Sequence, residues 1–172
     1  MKKISDGIRT ITDFPKPGIE FKDITTLLSD GELFRMTIDT FAERYRNEHI
    51  DMVVGVEARG FIFASALAYV LGAGTCLVRK PGKLPHTVHR ESYELEYGTD
   101  SVEIHQDAFE PGQRIVVIDD ILATGGTVGA TAKLISNNFE VEIVELAFLL
   151  ELGFLNGRKK LGNHKVFSLV KS

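Results

Sequence analysis

The sequence predicts an α/β fold: a mostly parallel sheet flanked by helices, with a long lid or hairpin insertion at about residues 80–113. Short apolar runs, such as Met52 to Val56 and Val116 to Ile118, alternate with segments of helical periodicity along most of the chain. Inside those runs apolar and polar residues do not alternate, as expected of parallel strands covered on both faces. A length of 172 residues suits one core, so a single domain is expected over residues 1–172.

The elements follow in order. Ile4, Ile8 and Ile11 suggest a short amphipathic start. The run Phe14-Pro15-Lys16-Pro17-Gly18 must be irregular, because two prolines and a glycine cannot continue a helix. Ser29 with Glu32 has the form of a capping box, opening a helix whose apolar positions are Leu33, Phe34, Ile38, Phe41 and Tyr45. A strand at residues 52–56, a helix at 60–71 and a strand at 75–79 follow. Residues 60–78 carry no charge, but Gly72-Ala73-Gly74 divides that stretch, so it reads as helix and strand rather than as a membrane span. Lys80-Pro81-Gly82-Lys83-Leu84-Pro85 cannot be regular, while residues 93–97 and 101–105 alternate like a hairpin around Gly98-Thr99-Asp100. A long insertion of this kind between core strands is often a lid or binding loop. Residues 114–119 read as strand, 127–137 as helix, 141–149 as strand, 152–161 as mostly helical and 166–170 as a last strand. Strand, helix and strand in succession argue for parallel pairing with right-handed crossovers.

Composition narrows the function. Lys+Arg number 20 against 24 Asp+Glu, a net charge of −4, so no global positive field exists to hold nucleic acid or an anionic membrane. Any bound anion needs a local site. The one cysteine, Cys76, cannot form an internal disulfide, and the start MKKISDGIRT holds no apolar signal core; the expected compartment is the cytoplasm.

The sharpest chemical signal is Val116-Val117-Ile118-Asp119-Asp120-Ile121-Leu122-Ala123-Thr124-Gly125-Gly126-Thr127. A buried strand ends in two adjacent carboxylates, and a loop of small residues leads into a helix. Ligands of parallel α/β sheets bind outside the carboxyl ends of the strands. Ala123, Thr124, Gly125, Gly126 and Thr127 offer successive backbone N–H groups, two hydroxyls and a helix N-terminus, which together make a monophosphate cradle. A plain strand-to-helix turn would not need the paired Asp, two Gly and two Thr together. Other phosphate and catalytic patterns are missing: no G-x-x-x-x-G-K-[ST], G-x-S-x-G, H-E-x-x-H or C-x-x-C occurs, and Cys76 in an apolar strand reads as core.

The run IDDILATGGT resembles the phosphoribosyl pyrophosphate signature of the type I phosphoribosyltransferases. Residues 14–25 (FPKPGIEFKDIT), Glu57-Ala58-Arg59-Gly60-Phe61, residues 79–85 (RKPGKLP) and Leu95-Glu96-Tyr97-Gly98 narrow the resemblance, over the whole chain, to the adenine phosphoribosyltransferase family. It implies a type I phosphoribosyltransferase-like fold and a purine-salvage reaction. In that reaction the 5-phosphoribosyl group of phosphoribosyl pyrophosphate passes to N9 of adenine, giving AMP and pyrophosphate through a transition state with oxocarbenium character at C1.

By the same resemblance, Asp119 and Asp120 hold the ribose hydroxyls and favour the developing positive charge. Ala123 to Thr127 hold the 5-phosphate, and Arg59, Lys80 and Lys83 neutralise the departing pyrophosphate. Phe21 stacks on adenine, the backbone at Glu20 and Lys22 reads the base edge, and Glu96 is a catalytic carboxylate managing the proton at N7. Mg²⁺ would be bridged by substrate oxygens, with no direct protein ligand assigned. A homodimer is implied, with neither nucleic acid nor membrane as partner.

Two departures stand out. Glu20 replaces a residue that is often apolar, and Ala64 replaces a glycine common after the RGFIF run. A phosphoribosyltransferase for another base, such as xanthine or orotate, would share everything except the base-edge segment. A regulator that senses phosphoribosyl pyrophosphate would need a DNA-binding segment and a basic surface, which this length and charge do not offer.

Overall fold

The computed structural model describes residues 3–95 and 98–172, in two compact units, residues 1–44 and 45–172. In the first, a 3₁₀ turn at Ile4–Gly7 leads into an antiparallel pair, β1 (Arg9–Thr12) and β2 (Glu20–Asp23), where a short amphipathic start had been expected. The Pro-rich segment between them is irregular, as predicted, and the Gly18 N–H closes its turn on Asp13 Oδ1 at 2.7 Å.

Helix α1 (Thr25–Ser29) and helix α2 (Gly31–Tyr45) follow. The predicted Ser29 cap is corrected here. Ser29 ends α1 and donates to Thr26 O, while Asp30 Oδ1 accepts the N–H groups of Glu32 (3.0 Å) and Leu33 (3.2 Å). Asp30 holds the position directly before α2, from which a side chain reaches the second and third N–H groups, while Ser29 still belongs to α1.

The second unit holds β3 (Met52–Val56), α3 (Gly60–Leu71), β4 (Gly74–Val78), β5 (Val88–Glu94), β6 (Thr99–His105), β7 (Arg114–Leu122), α4 (Gly126–Asn138), β8 (Glu142–Glu151) and β9 (Val166–Lys171). Five strands form one sheet in the order β4-β3-β7-β8-β9, every neighbouring pair parallel. The apolar runs build it because both faces are covered. Val54, Val56, Ile115, Val117, Leu146 and Phe148 pack with Leu134 and Ile135 of α4 and with Val102 and Ile104 of β6. The intervening Gly55 faces the other way, and a Cβ there would lie 2.8 Å from the Ala64 methyl of α3. That close approach explains the Ala64 departure: the added methyl fits because position 55 carries no side chain. Each fully buried Phe or Ile in these layers contributes roughly 1.5–3 kcal/mol.

The antiparallel hairpin β5–β6 forms its own two-stranded sheet, joined to the main one by an antiparallel bridge between Arg79 and Glu103, with Tyr93 opposite Asp100. The range expected to be mostly helical, 152–161, holds two short 3₁₀ helices, Gly153–Leu155 and Gly157–Lys160, rather than α-helix. Gly153, Gly157 and the left-handed Asn156 (φ 54°) interrupt the periodicity that suggested it. Among the described residues no helix is long and apolar enough to cross a membrane.

Candidate active site

From β3 the chain crosses outward to β4 and then returns to β7 on the other side of β3. The sheet order therefore reverses between β3 and β7, and in sheets of this kind ligands bind where the loops leave the carboxyl ends of the strands at such a point. Residues 57–59 leave β3 and residues 123–125 leave β7.

These two loops bring Arg59, Asp119 and Asp120 together. Strand β7 runs on to Leu122, so both aspartates lie within it, and the alternation of strand side chains gives them different surroundings: Asp119 is half-buried and Asp120 is buried. Arg59 Nε lies 2.5 Å from the buried Asp120 Oδ2, a contact of charges without the angle of an aligned hydrogen bond. Gly60 permits the approach of the two loops, since a Cβ there would stand 2.8 Å from Ile118 O and 3.1 Å from Asp119 Oδ1. Burial raises the proton affinity of Asp119 well above the carboxylate range, and the neighbouring charge of Asp120 adds to it. Asp120 is also raised by burial, against the opposing pull of Arg59. A carboxylate pair in this condition gains most from a positive charge arriving between the loops.

The next residues form the loop expected to serve as a phosphate cradle. Gly125 is left-handed (φ 77°) at the N-cap of α4, and no side chain caps that helix. Its N-terminal N–H groups therefore face the loop of Ala123, Thr124, Gly125, Gly126 and Thr127. The loop is braced from behind: a Cβ on Gly125 would stand 2.3 Å from Gly157 O, and one on Gly157 2.2 Å from Ala123 O. Glu151, buried, accepts from Arg158 Nε at 2.6 Å and thereby anchors the bracing segment.

The segment after β4 is fastened by two carboxylates. Glu57 accepts the Lys80 N–H at 2.9 Å and Arg79 Nε at 3.2 Å; burial alone would raise its pKa, but these donors outweigh it and lower it. Glu103, buried, accepts the Gly82 N–H at 2.9 Å and Arg90 Nε at 2.8 Å. Lys80 is half-buried, paired with Asp100 and bonded to the Tyr93 hydroxyl at 3.0 Å, and Tyr93 in turn lies 3.0 Å from Thr127 Oγ1. Lys83 is exposed.

Glu20, Phe21 and Lys22 lie on β2 of the first unit. Phe14 meets Phe21 edge-on at 5.2 Å, and Lys22 Nζ donates to Thr10 Oγ1 at 3.0 Å. Glu96 falls outside the described residues. Cys76 is core: burial pushes its thiol up to about 12.

The sequence pattern of the phosphoribosyl transferase domain matches residues 24–169. The adenine phosphoribosyltransferase of Syntrophotalea carbinolica is 58% identical over 99% of both chains. The solved adenine phosphoribosyltransferase of Thermoanaerobacter pseudethanolicus superimposes with a TM-score of 0.93 at 50% identity, covering 98% of each chain. That of Saccharomyces cerevisiae, in complex with adenine and an imino-altritol bisphosphate, gives 0.91 at 39% identity over 96% of each. The chain belongs to the adenine phosphoribosyltransferase family.

Within this family member, the sequence pattern does not single out Tyr93, Asp100, Glu57 and Glu103. Glu57 stands inside the motif at residues 57–61, and the alternation of the hairpin puts Tyr93 and Asp100 near its turn. No local pattern marks Glu103, whose partners come from residues 82 and 90.

Proposed function

We propose that this chain transfers the 5-phosphoribosyl group of phosphoribosyl pyrophosphate to N9 of adenine, giving AMP and pyrophosphate. The observation that carries the reading is the joining of Asp119, Asp120 and Arg59 to the cradle of residues 123–127 at the switch point of the sheet. The cradle takes the 5-phosphate. Asp119 and Asp120 take the ribose hydroxyls, and as the bond from C1 to the pyrophosphate oxygen breaks, their charge stabilises the positive character left at C1. The bond electrons leave with pyrophosphate, whose charge Arg59, Lys80 and Lys83 offset. The N9 lone pair forms the new bond, and the proton at N7 passes to a base, a role proposed for Glu96.

Phe21 supplies a stacking face for adenine, and the backbone at Glu20 and Lys22 reads its edge. The support is the motif at residues 14–25 and a half-buried ring already held by Phe14. Mg²⁺ fits this donor set. Asp119 and Asp120 supply hard carboxylate oxygens of the kind such an ion takes, and no direct protein ligand is assigned. A bound Mg²⁺ would supply positive charge to offset that of pyrophosphate.

The hairpin insertion is proposed to act as a lid that excludes water, so phosphoribosyl pyrophosphate should slow its proteolysis; equal cleavage with and without it would remove the lid. A homodimer is proposed on the exposed apolar residues Ile62, Tyr69 and Val70 of α3 and Leu77 of β4. A cytoplasmic setting accords with the lone thiol of Cys76. The activity is tested by pyrophosphate release from phosphoribosyl pyrophosphate and Mg²⁺ with adenine, hypoxanthine, guanine, xanthine and orotate; turnover with a base other than adenine alone refutes it.

A further inference from the structure

Three polar groups from three segments meet at the Tyr93 hydroxyl. Lys80 Nζ, Asp100 Oδ2 and Thr127 Oγ1 each lie 3.0 Å from it. A phenol has one proton to donate and two lone pairs with which to accept. Lys80 can only donate. Asp100 can only accept, since the Lys80 ammonium beside it holds its carboxyl below the usual range and so ionised. The Tyr93 proton therefore goes to Asp100, and Thr127 donates to Tyr93, which uses every valence of the phenol.

The arrangement is fixed by the fold. Tyr93 and Asp100 are direct cross-strand partners on β5 and β6, so the register of the hairpin places them side by side. The ring is set by packing against the cradle, because a Cβ on Gly126 would stand 3.2 Å from Tyr93 Cδ2. Removing the hydroxyl alone thus leaves the ring seated.

We infer that Tyr93 is a positioning residue of the transfer site, tying Lys80 at the pyrophosphate end to Thr127 at the 5-phosphate end through the hairpin. This rests on the assignment of Lys80 and Thr127 as binding groups for the two ends of phosphoribosyl pyrophosphate. Lysine carries a flexible stem whose rotamer freedom is lost when it binds an anion. Held by Tyr93 and Asp100 before the substrate arrives, Lys80 has already lost it.

The test is the affinity of the full chain for phosphoribosyl pyrophosphate with Mg²⁺, measured calorimetrically without any base, for wild type, Tyr93→Phe, Lys80→Ala and the double variant. Tyr93→Phe should raise Kd about 3- to 10-fold, the scale of one or two lost hydrogen bonds, with the thermal midpoint unchanged. In the Lys80→Ala background the same change should cost less than about twofold, because the group being positioned is gone. An unchanged Kd in Tyr93→Phe, or an equal effect in both backgrounds, overturns the inference. Since no base is present, failure of the adenine reading leaves this measurement intact. Wild type that binds no phosphoribosyl pyrophosphate overturns both.

Discussion

Gly157→Ala probes the support of the cradle from outside it. A methyl at this position would stand 2.2 Å from Ala123 O and 2.9 Å from Leu122 Cδ1, and the nearer obstacle is backbone. The dihedral φ of Gly157 is not left-handed, so alanine meets no conformational barrier and the whole effect is steric. An ordinary contact requires the carbonyl to retreat by roughly 1 Å, and the shift falls on the first residue of the cradle. Misplacement of about that size in a positioned substrate costs on the order of 100-fold.

Steady-state pyrophosphate release at saturating adenine should therefore show kcat/KM for phosphoribosyl pyrophosphate lowered about 10- to 100-fold, with a destabilisation of about 1–3 kcal/mol from overpacking. Gly31→Ala is the control, since a Cβ there meets nothing within 4 Å. A Gly157→Ala enzyme that stays folded and keeps kcat/KM within about twofold would show that the bracing turn does not set the cradle, and the steric argument would fall.

Asp119→Asn and Asp120→Asn keep size and remove charge; each should lower kcat more than it raises KM for phosphoribosyl pyrophosphate, by roughly 10- to 1000-fold, and an unchanged kcat in both removes them from the transition state. Asp23 is the acid-sensitive point of the first unit: the Thr25 N–H and the Arg9 guanidinium lower its pKa from 3.8 to about 2. Because the folded value is depressed, its stabilisation is present above about pH 4 and is lost as pH falls toward about 2. The gap in thermal midpoint between wild type and Asp23→Asn should narrow across that window; a constant gap refutes the linkage. Light scattering should show twice 19.1 kDa, and an active monomer would remove the proposed dimer.

The main sheet was legible because a strand covered on both faces must be apolar throughout, and Val116 to Ile118 has no other use. The paired aspartates and the small-residue loop before α4 were legible as a strand end and a strand-to-helix turn because they adjoin in sequence; their phosphate and ribose roles belong to the proposal. What escaped was long-range. Glu103 sits in a hairpin that reads as alternating surface, and only folding brings Gly82 and Arg90 to it. The pair β1 and β2 escaped because four-residue strands around a Pro-rich loop carry little periodicity. Residues 153–160 read as helical, but their division into two 3₁₀ turns escaped, because the reason for Gly157 lies in its contact with Ala123.

Transfer to adenine stands or falls on the choice between adenine and hypoxanthine. Adenine offers a donor at N6 and an acceptor at N1; hypoxanthine offers an acceptor at O6 and a donor at N1, the inverse edge. If the backbone at Glu20 and Lys22 reads that edge, hypoxanthine leaves buried polar groups facing like partners, a mismatch able to discriminate by about 10⁴ to 10⁵. Pyrophosphate release should thus give kcat/KM for adenine about 10⁴-fold above that for hypoxanthine, and Glu20→Ala should preserve the ratio because the reader is main chain. Hypoxanthine used within about tenfold of adenine, or a ratio abolished by Glu20→Ala, would contradict the account.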